Sequence, residues 1–184
     1  ETEAIIEESI RLLKKKDKIK VLDIGTGSGA IAISLAREFL NAKITAIDIS
    51  EQAINIANKN INEKKFQNQI ILKKTSFDFI EGNYDLIVSN PPYLSKNDIK
   101  NVSLEIKNYE PLVALDGGED GLFFYRQFAN KIASILNKNA YFIIEIGEKQ
   151  FNDCNEIFSS SGLNLIKKMQ DLQKKDRIMV FSKL

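Results

Sequence analysis

Residues 21 to 29 read Val21-Leu22-Asp23-Ile24-Gly25-Thr26-Gly27-Ser28-Gly29: an apolar run interrupted by one acid, then glycine at every second position. Ile19 to Ile24 has the composition of a compact buried strand, and the stretch from Ala30 to Phe39 has helical spacing. A strand that turns through glycines straight into a helix opens a β-α-β unit. The glycines let the backbone turn tightly and let a ligand approach without interference from a Cβ. The helix beyond them offers free N–H groups at its start.

Reading outward from this turn, the periodicity keeps switching between helix and strand. Residues 2 to 14, with Ala4, Ile5, Ile6, Ser9, Ile10 and Leu13 on one face, predict an amphipathic helix ahead of the first strand. A second strand covers Lys43 to Ile47, and Ser50 is placed to cap a helix from Glu51 to Asn62. Strands near 69–74 and 84–89 follow, then a loop-rich stretch from Asn90 to Gly121, a helix near 122–136, a strand at 140–146 and a helix at 148–160. Two closing strands near 164–169 and 177–182 are joined through Asp171 to Asp176, too short for a crossover, so they predict an antiparallel hairpin. The fold class is therefore α/β: a seven-stranded, mostly parallel sheet with helices on both faces and a C-terminal antiparallel hairpin. No internal repeat or low-complexity linker divides the chain.

Composition agrees with one domain. The chain has 184 residues, 43% of them hydrophobic and 28% charged, enough for a substantial core. A formal charge of +1 gives no strong field for nucleic acid or a membrane, and the lysine runs at 14–16, 64–65 and 73–74 read as solvated surface. With no histidine and a single cysteine, Cys154, a zinc site has no ligands and an internal disulfide no partner. A reducing cytoplasm is the expected setting. No apolar run approaches the roughly 20 residues of a membrane span, and no signal peptide is visible. The chain opens Glu1-Thr2-Glu3 without a methionine, so an upstream part is expected that this sequence does not include.

The glycine spacing is G-x-G-x-G with an acid two residues ahead, not the G-x-G-x-x-G of dinucleotide folds. Asp23 would repel a pyrophosphate but can pair with an ammonium group, such as that of the methionine part of S-adenosylmethionine. Asp48, closing the second strand, is placed to accept hydrogen bonds from both hydroxyls of a ribose. Alone, the glycine loop has a purely structural reading as a turn. With Asp23 and Asp48 at the ends of adjacent strands it indicates a nucleoside-type ligand.

The second informative stretch is Ser89-Asn90-Pro91-Pro92-Tyr93-Leu94, directly after the apolar Asp85 to Val88. Proline cannot donate to a ladder, so the strand stops there. An Asn at this carboxyl end lies beside the ligand crevice, and its amide oxygen and the carbonyl of Pro91 can accept both N–H groups of a planar NH₂. The nitrogen lone pair is then directed rather than activated, with Tyr93 stacking on the flat group and Pro92 stiffening the turn. Such a nitrogen belongs to a carboxamide or to an amino-substituted aromatic ring.

These residues give the resemblance. The chain resembles the class I S-adenosylmethionine-dependent methyltransferases over its whole length, with Asp23, Gly25, Thr26, Gly27, Ser28 and Gly29 matching the cofactor loop, Asp48 the ribose acid, and Ile49 beside it. Asn90-Pro91-Pro92-Tyr93 marks adenine-N6 DNA methyltransferases and protein-glutamine N5 methyltransferases. The segment 108–122, then Tyr125-Arg126, Ile144 to Gly147 with Gln150, and Asp171 with Arg177, is similar to the HemK/PrmC proteins. That resemblance implies S-adenosyl-L-methionine as methyl donor, S-adenosyl-L-homocysteine as product, and peptide chain release factors as protein substrates, methylated on the glutamine of a Gly-Gly-Gln loop. It implies catalytic roles for Asn90, Pro91, Pro92 and Tyr93. A helical N-terminal domain that precedes the catalytic one in that family is expected to be absent from this chain, which should weaken partner binding but not cofactor binding. A monomer with no metal, and with no direct contact to nucleic acid or membrane, is expected. Three stretches stay open. Gly117 to Gly121 reads either as a flexible turn or as a wall of the substrate pocket, and Glu145 either as a satisfied buried acid or as part of that wall. After the third strand the chain reads Lys74-Thr75-Ser76-Phe77-Asp78-Phe79, where the family carries an acid and an aromatic. Phe77 is expected to pack on the adenine, with Ser76 or Asp78 reaching its amine, and core packing of Phe77 is the alternative.

Rival classes are weaker. A DNA adenine methyltransferase needs a target-recognition region and a basic cleft, for which 184 near-neutral residues leave no room. The glycine spacing disfavours a nicotinamide oxidoreductase. A glutamine methyltransferase of a ribosomal protein would look alike in this half.

Overall fold

The computed structural model describes residues 2–16, 18–101 and 114–183. In chain order its elements are α1 (Thr2–Leu13), β1 (Lys20–Ile24), α2 (Ala30–Glu38), β2 (Lys43–Asp48), α3 (Glu51–Glu63), β3 (Ile70–Lys74), a 3-10 turn (Phe77–Phe79), β4 (Tyr84–Ser89), α4 (Lys96–Asn101), α5 (Phe123–Ile135), β5 (Leu136–Glu145), α6 (Phe151–Ser160), β6 (Asn164–Gln170) and β7 (Asp176–Lys183). The seven strands form one sheet in the order β3-β2-β1-β4-β5-β7-β6. The first five run parallel, and β7 pairs antiparallel with both β5 and β6, as the short connection between the last two strands requires.

Alternation along the strands splits the interior into two cores. Val21, Leu86, Val88, Ile143, Ile178 and Val180 point to one face, covered by α1, α2 and α3 through Ile5, Leu35 and Ala57. Leu22, Ile87, Phe142, Ile144, Met179 and Phe181 point to the other, under α5 and α6, where Phe158 meets Phe142 edge-on at 5.1 Å. Buried on both faces, the central strands read as continuous apolar runs, which is what their sequences show.

Two features depart from the sequence reading. Within the stretch read as loop, α4 is opened by a capping box: Ser95 Oγ accepts from the Asp98 N–H at 3.1 Å, and the Asp98 carboxylate accepts from the Ser95 N–H at 3.1 Å. And β5 starts at Leu136 rather than at 140, running through Asn139 at φ 56° with a register shift against β4. Among the described residues no helix is long and apolar enough to cross a membrane.

Candidate active site

The strand order reverses between β1 and β4, whose carboxyl ends lie side by side and open a crevice there. Ser89 fixes this edge: its hydroxyl donates to the carbonyl of Ile24 at 2.9 Å, across 65 residues of sequence. Asn90 therefore begins directly beside the glycine turn.

In that turn Gly25, Gly27 and Gly29 hold φ of 70°, 56° and 81°, a left-handed region costly to any residue with a Cβ. A Cβ on Gly25 or Gly27 would meet no atom within 4 Å, so the turn is open on that side. On Gly29 it would meet the Cβ of Ala57 at 3.4 Å, so this glycine also lets α2 pack close to α3. The Thr26 N–H donates to the Ile47 carbonyl at 2.9 Å and ties the turn to the end of β2. Asn60, on α3, donates its amide to the Ser28 carbonyl at 2.9 Å and braces the turn from the other side. That brace went unread in the sequence, since nothing distinguishes one Asn on a polar helix face from the next.

Asp23 is fully buried, and its Oδ2 accepts from the Thr26 hydroxyl at 2.7 Å. Its Oδ1 has no partner at hydrogen-bonding geometry. Burial raises its pKa from 3.8 to about 6, against the pull of the Thr26 hydroxyl and the Ala32 N–H, with the nearby Asp48 adding to the rise. A buried carboxylate with an unused oxygen at a crevice is a receptor for a cation. Asp48 is positioned by backbone donors: Oδ2 accepts from the Gly27 N–H at 3.0 Å and Oδ1 from the Ser50 N–H at 2.9 Å. Each oxygen keeps a further acceptor site, a match for two neighbouring hydroxyls. Ile49, next along, is 61% exposed and offers an apolar face beside them.

The third stretch resolves differently from the Phe77 expectation. Phe77 is only 5% exposed and meets Phe128 edge-on at 5.2 Å, so its ring belongs to the core under α5, the alternative left open in the sequence. Ser76 caps the 3-10 turn and its hydroxyl donates to the Asp78 carboxylate at 3.0 Å, which also accepts from the Gln127 amide at 3.0 Å. Asn90, Pro92 and Tyr93 are half-buried at the crevice and Pro91 is buried. The chain beyond them pairs with the loop before α5: the Leu94 N–H donates to the Leu115 carbonyl at 3.0 Å and the Gly117 N–H to the Leu94 carbonyl at 2.9 Å. Gly117 to Gly121 is thus held against the Asn90–Leu94 segment rather than standing apart from it. Glu145, buried at the end of β5, offers its carbonyl to the Tyr125 hydroxyl at 3.2 Å. The 108–113 part of the family-like segment lies outside the described residues.

Comparison with known proteins agrees with this geometry. A family model described as methyltransferase small domain matches residues 9–109. A release factor glutamine methyltransferase of Thermodesulfovibrio yellowstonii is 36% identical over 186 residues, covering 100% of this chain and 67% of the relative. Those of Fusobacterium nucleatum subsp. nucleatum and Streptococcus pneumoniae are 36% and 42% identical, covering 100% and 86% of this chain and 52% and 56% of theirs. The chain thus spans about half to two thirds of the length of these curated relatives. Among solved structures, a ribosomal protein L11 methylase from Lactobacillus delbrueckii subsp. bulgaricus superposes with a TM-score of 0.69 at 22% identity, over 99% of this chain and 76% of that one. The magnesium protoporphyrin IX methyltransferase of Synechocystis PCC 6803 does so at 0.68 and 16%, over 100% and 78%. At such identities the structural likeness is one of fold, whereas the sequence relatives speak for descent. The chain belongs to the methyltransferase small domain family, in the branch of the release factor glutamine methyltransferases.

Proposed function

We propose that this chain transfers the methyl group of S-adenosylmethionine to the side-chain amide nitrogen of a glutamine, and that the glutamine lies in the Gly-Gly-Gln loop of a peptide chain release factor. The observation that carries the reading is the hydroxyl of Ser89 on the carbonyl of Ile24, which sets Asn90 beside the glycine turn, so that an amide-binding group and a cofactor-binding group share one crevice. The curated relatives carry the release factor in their names.

The residues fit the cofactor piece by piece. Asp23, with Oδ1 unpartnered, would hold the ammonium; Asp48 would hold the ribose hydroxyls; Ile49 would pack on the adenine, with Ser76 closing that end. When bound, S-adenosylmethionine supplies an electrophilic methyl on a sulfonium. A carboxamide nitrogen is a poor nucleophile because its lone pair is delocalised into the carbonyl, so the task of the protein is orientation. The Asn90 side-chain oxygen and the Pro91 carbonyl accept the two amide N–H groups, one of which gives up its proton to solvent once the nitrogen carries the methyl, and Tyr93 supports the flat face. The prolines keep the turn from relaxing around a misplaced substrate.

The test is transfer of labelled methyl from S-adenosylmethionine, with three acceptors side by side: a release factor with its Gly-Gly-Gln intact, the same protein with that glutamine changed to alanine, and duplex DNA. Label on the intact release factor alone is the expected result. Label on DNA overturns the reading, and binding of cofactor without transfer to any of the three points to another protein glutamine, as in the ribosomal-protein alternative.

A further inference from the structure

We propose that Gln150 is a positioning residue for the Asn90–Tyr93 turn, holding it in working geometry with one saturated primary amide. The inference rests on the reading of that turn as the site where the substrate amide binds. Gln150 Nε2 donates to the Tyr93 carbonyl at 2.9 Å and to the Gly121 carbonyl at 3.1 Å. Its Oε1 accepts from the Gly147 N–H at 2.9 Å and from the Tyr125 hydroxyl at 3.2 Å, whose one proton it shares with the Glu145 carbonyl at 3.2 Å. Two donors and two acceptor sites are all that a primary amide has, and each is used on a different segment: the catalytic turn, the loop before α5, the loop after β5, and α5 itself. The partners also fix which end is oxygen, because two carbonyls can meet only the nitrogen and a backbone N–H only the oxygen.

Three independent features indicate that the surroundings are built for this side chain. Gln150 stands at the N-cap of α6, where Ser, Thr, Asp or Asn would stabilise the helix, yet it makes no cap bond and turns its amide back to the loops. The neighbouring glycines leave room for that amide and for the turn it holds. A Cβ on Gly121 would stand 2.5 Å from the Tyr93 carbonyl oxygen and 2.6 Å from Gln150 Nε2, and one on Gly147 would stand 2.8 Å from Gln150 Oε1. A Cβ on Gly117 would stand 2.9 Å from the Tyr93 carbonyl carbon. Finally, no other side chain does the same work. Glu has no donor for the two carbonyls, Met has neither donor nor strong acceptor, and Asn is one methylene too short.

Pinning the Tyr93 carbonyl, with two prolines ahead of it, leaves Asn90 few ways to move. Gln150 touches neither cofactor nor transferring nitrogen in this scheme; it acts through the turn. Gln150→Met and Gln150→Glu are therefore expected to lower kcat for methyl transfer to a release factor by about 100-fold, the cost typical of an ångström of misplacement, with cofactor Kd by calorimetry changed by no more than about two-fold. Amide hydrogen exchange gives a readout independent of substrate. The Leu94 and Gly117 N–H groups, which close the turn onto its neighbour loop, should exchange at least about ten-fold faster in both variants, with Val88 and Ile143 in the sheet unchanged. Tyr125→Phe, which removes the hydroxyl that Gln150 shares with the Glu145 carbonyl, should show the same pattern more weakly, and it keeps the test available if the Gln150 variants do not fold. Exchange at Leu94 and Gly117 as slow as in the parent overturns the inference, as does an unchanged kcat in variants that are only less stable. If the parent chain itself methylates no release factor, the substrate reading fails, and the exchange data still decide the role of Gln150.

Discussion

At the scale of residues, the two acids with the most unusual surroundings, Asp23 and Glu8, have opposite pH behaviour. Asp23 has a folded pKa of about 6 against 3.8 unfolded, so the native state holds its proton more tightly and stability falls as pH rises from about 4 to 6. Asp23→Asn removes that penalty. It should raise stability at pH 7 by on the order of 2–3 kcal/mol in urea unfolding while weakening cofactor binding at least about ten-fold, and cofactor affinity of the parent should rise with pH through about 6 as the carboxylate ionises. Equal affinity at pH 5 and 8 would show that the ammonium is held elsewhere. Asn90→Ala, by contrast, should abolish transfer with little change in unfolding midpoint, because the half-buried amide supports the substrate rather than the core; measurable turnover in the variant would sink the orientation mechanism. Asp23, Asp48 and Asn90 stood out in the sequence because each lies at the carboxyl end of a strand, with Asp23 two residues before Gly25 and Asn90 directly before Pro91. Phe77 was not, because an aromatic one residue past a strand looks the same whether it faces a ligand or the core.

At the scale of elements, α1 is tied across the molecule by Glu8, whose side chain is 2% exposed and bonds Arg11 Nη2 at 2.5 Å and Lys167 Nζ of β6 at 2.9 Å. The Arg11 hydrogen bond foremost, with Lys167 adding to it, lowers the Glu8 pKa despite its burial, so its contribution is complete above the unfolded value of 4.5 and is lost as pH falls through the folded pKa. Glu8→Gln should destabilise the chain by about 1–2 kcal/mol in urea unfolding at pH 7, less than a fully buried pair because both cations remain partly in water. A loss at pH 7 no larger than that at pH 3 would show that the charge is not what holds α1. Nothing in the sequence pairs residue 8 with residue 167, since local periodicity carries no information on partners so distant. The helices and strands themselves were legible because their periods are strong. Short α4 was missed although Ser95 and Asp98, three apart, spell its capping box. The early start of β5 was hidden by polar Asn137 to Asn139, which break the apolar run without breaking the strand.

At the scale of the molecule, two cores share one sheet and the crevice sits where both meet its carboxyl edge. Cofactor bound there stabilises the fold by mass action, about 2.7 kcal/mol at 100 times Kd. For a chain of this size that is roughly 5–10 °C in Tm. Scanning calorimetry should show the full shift in Asn90→Ala and a reduced one in Asp48→Ala at the same cofactor concentration. An Asp48→Ala shift as large as the parent's would show that the ribose is bound by other groups.

The strand order has one more consequence, for synthesis. β7 is made after both of its neighbours in the sheet, yet it lies between β5 and β6, not at the edge. Until it emerges, β5 presents Phe142, Ile143 and Ile144 along an unpaired edge, and β6 has no neighbour in the sheet at all. The nascent chain can assemble its first five strands, and with them the whole crevice, while α6 and β6 wait on eight residues. Deleting those residues would remove a middle plank rather than a loose end, and the product to expect is aggregation through β5 rather than a shortened enzyme.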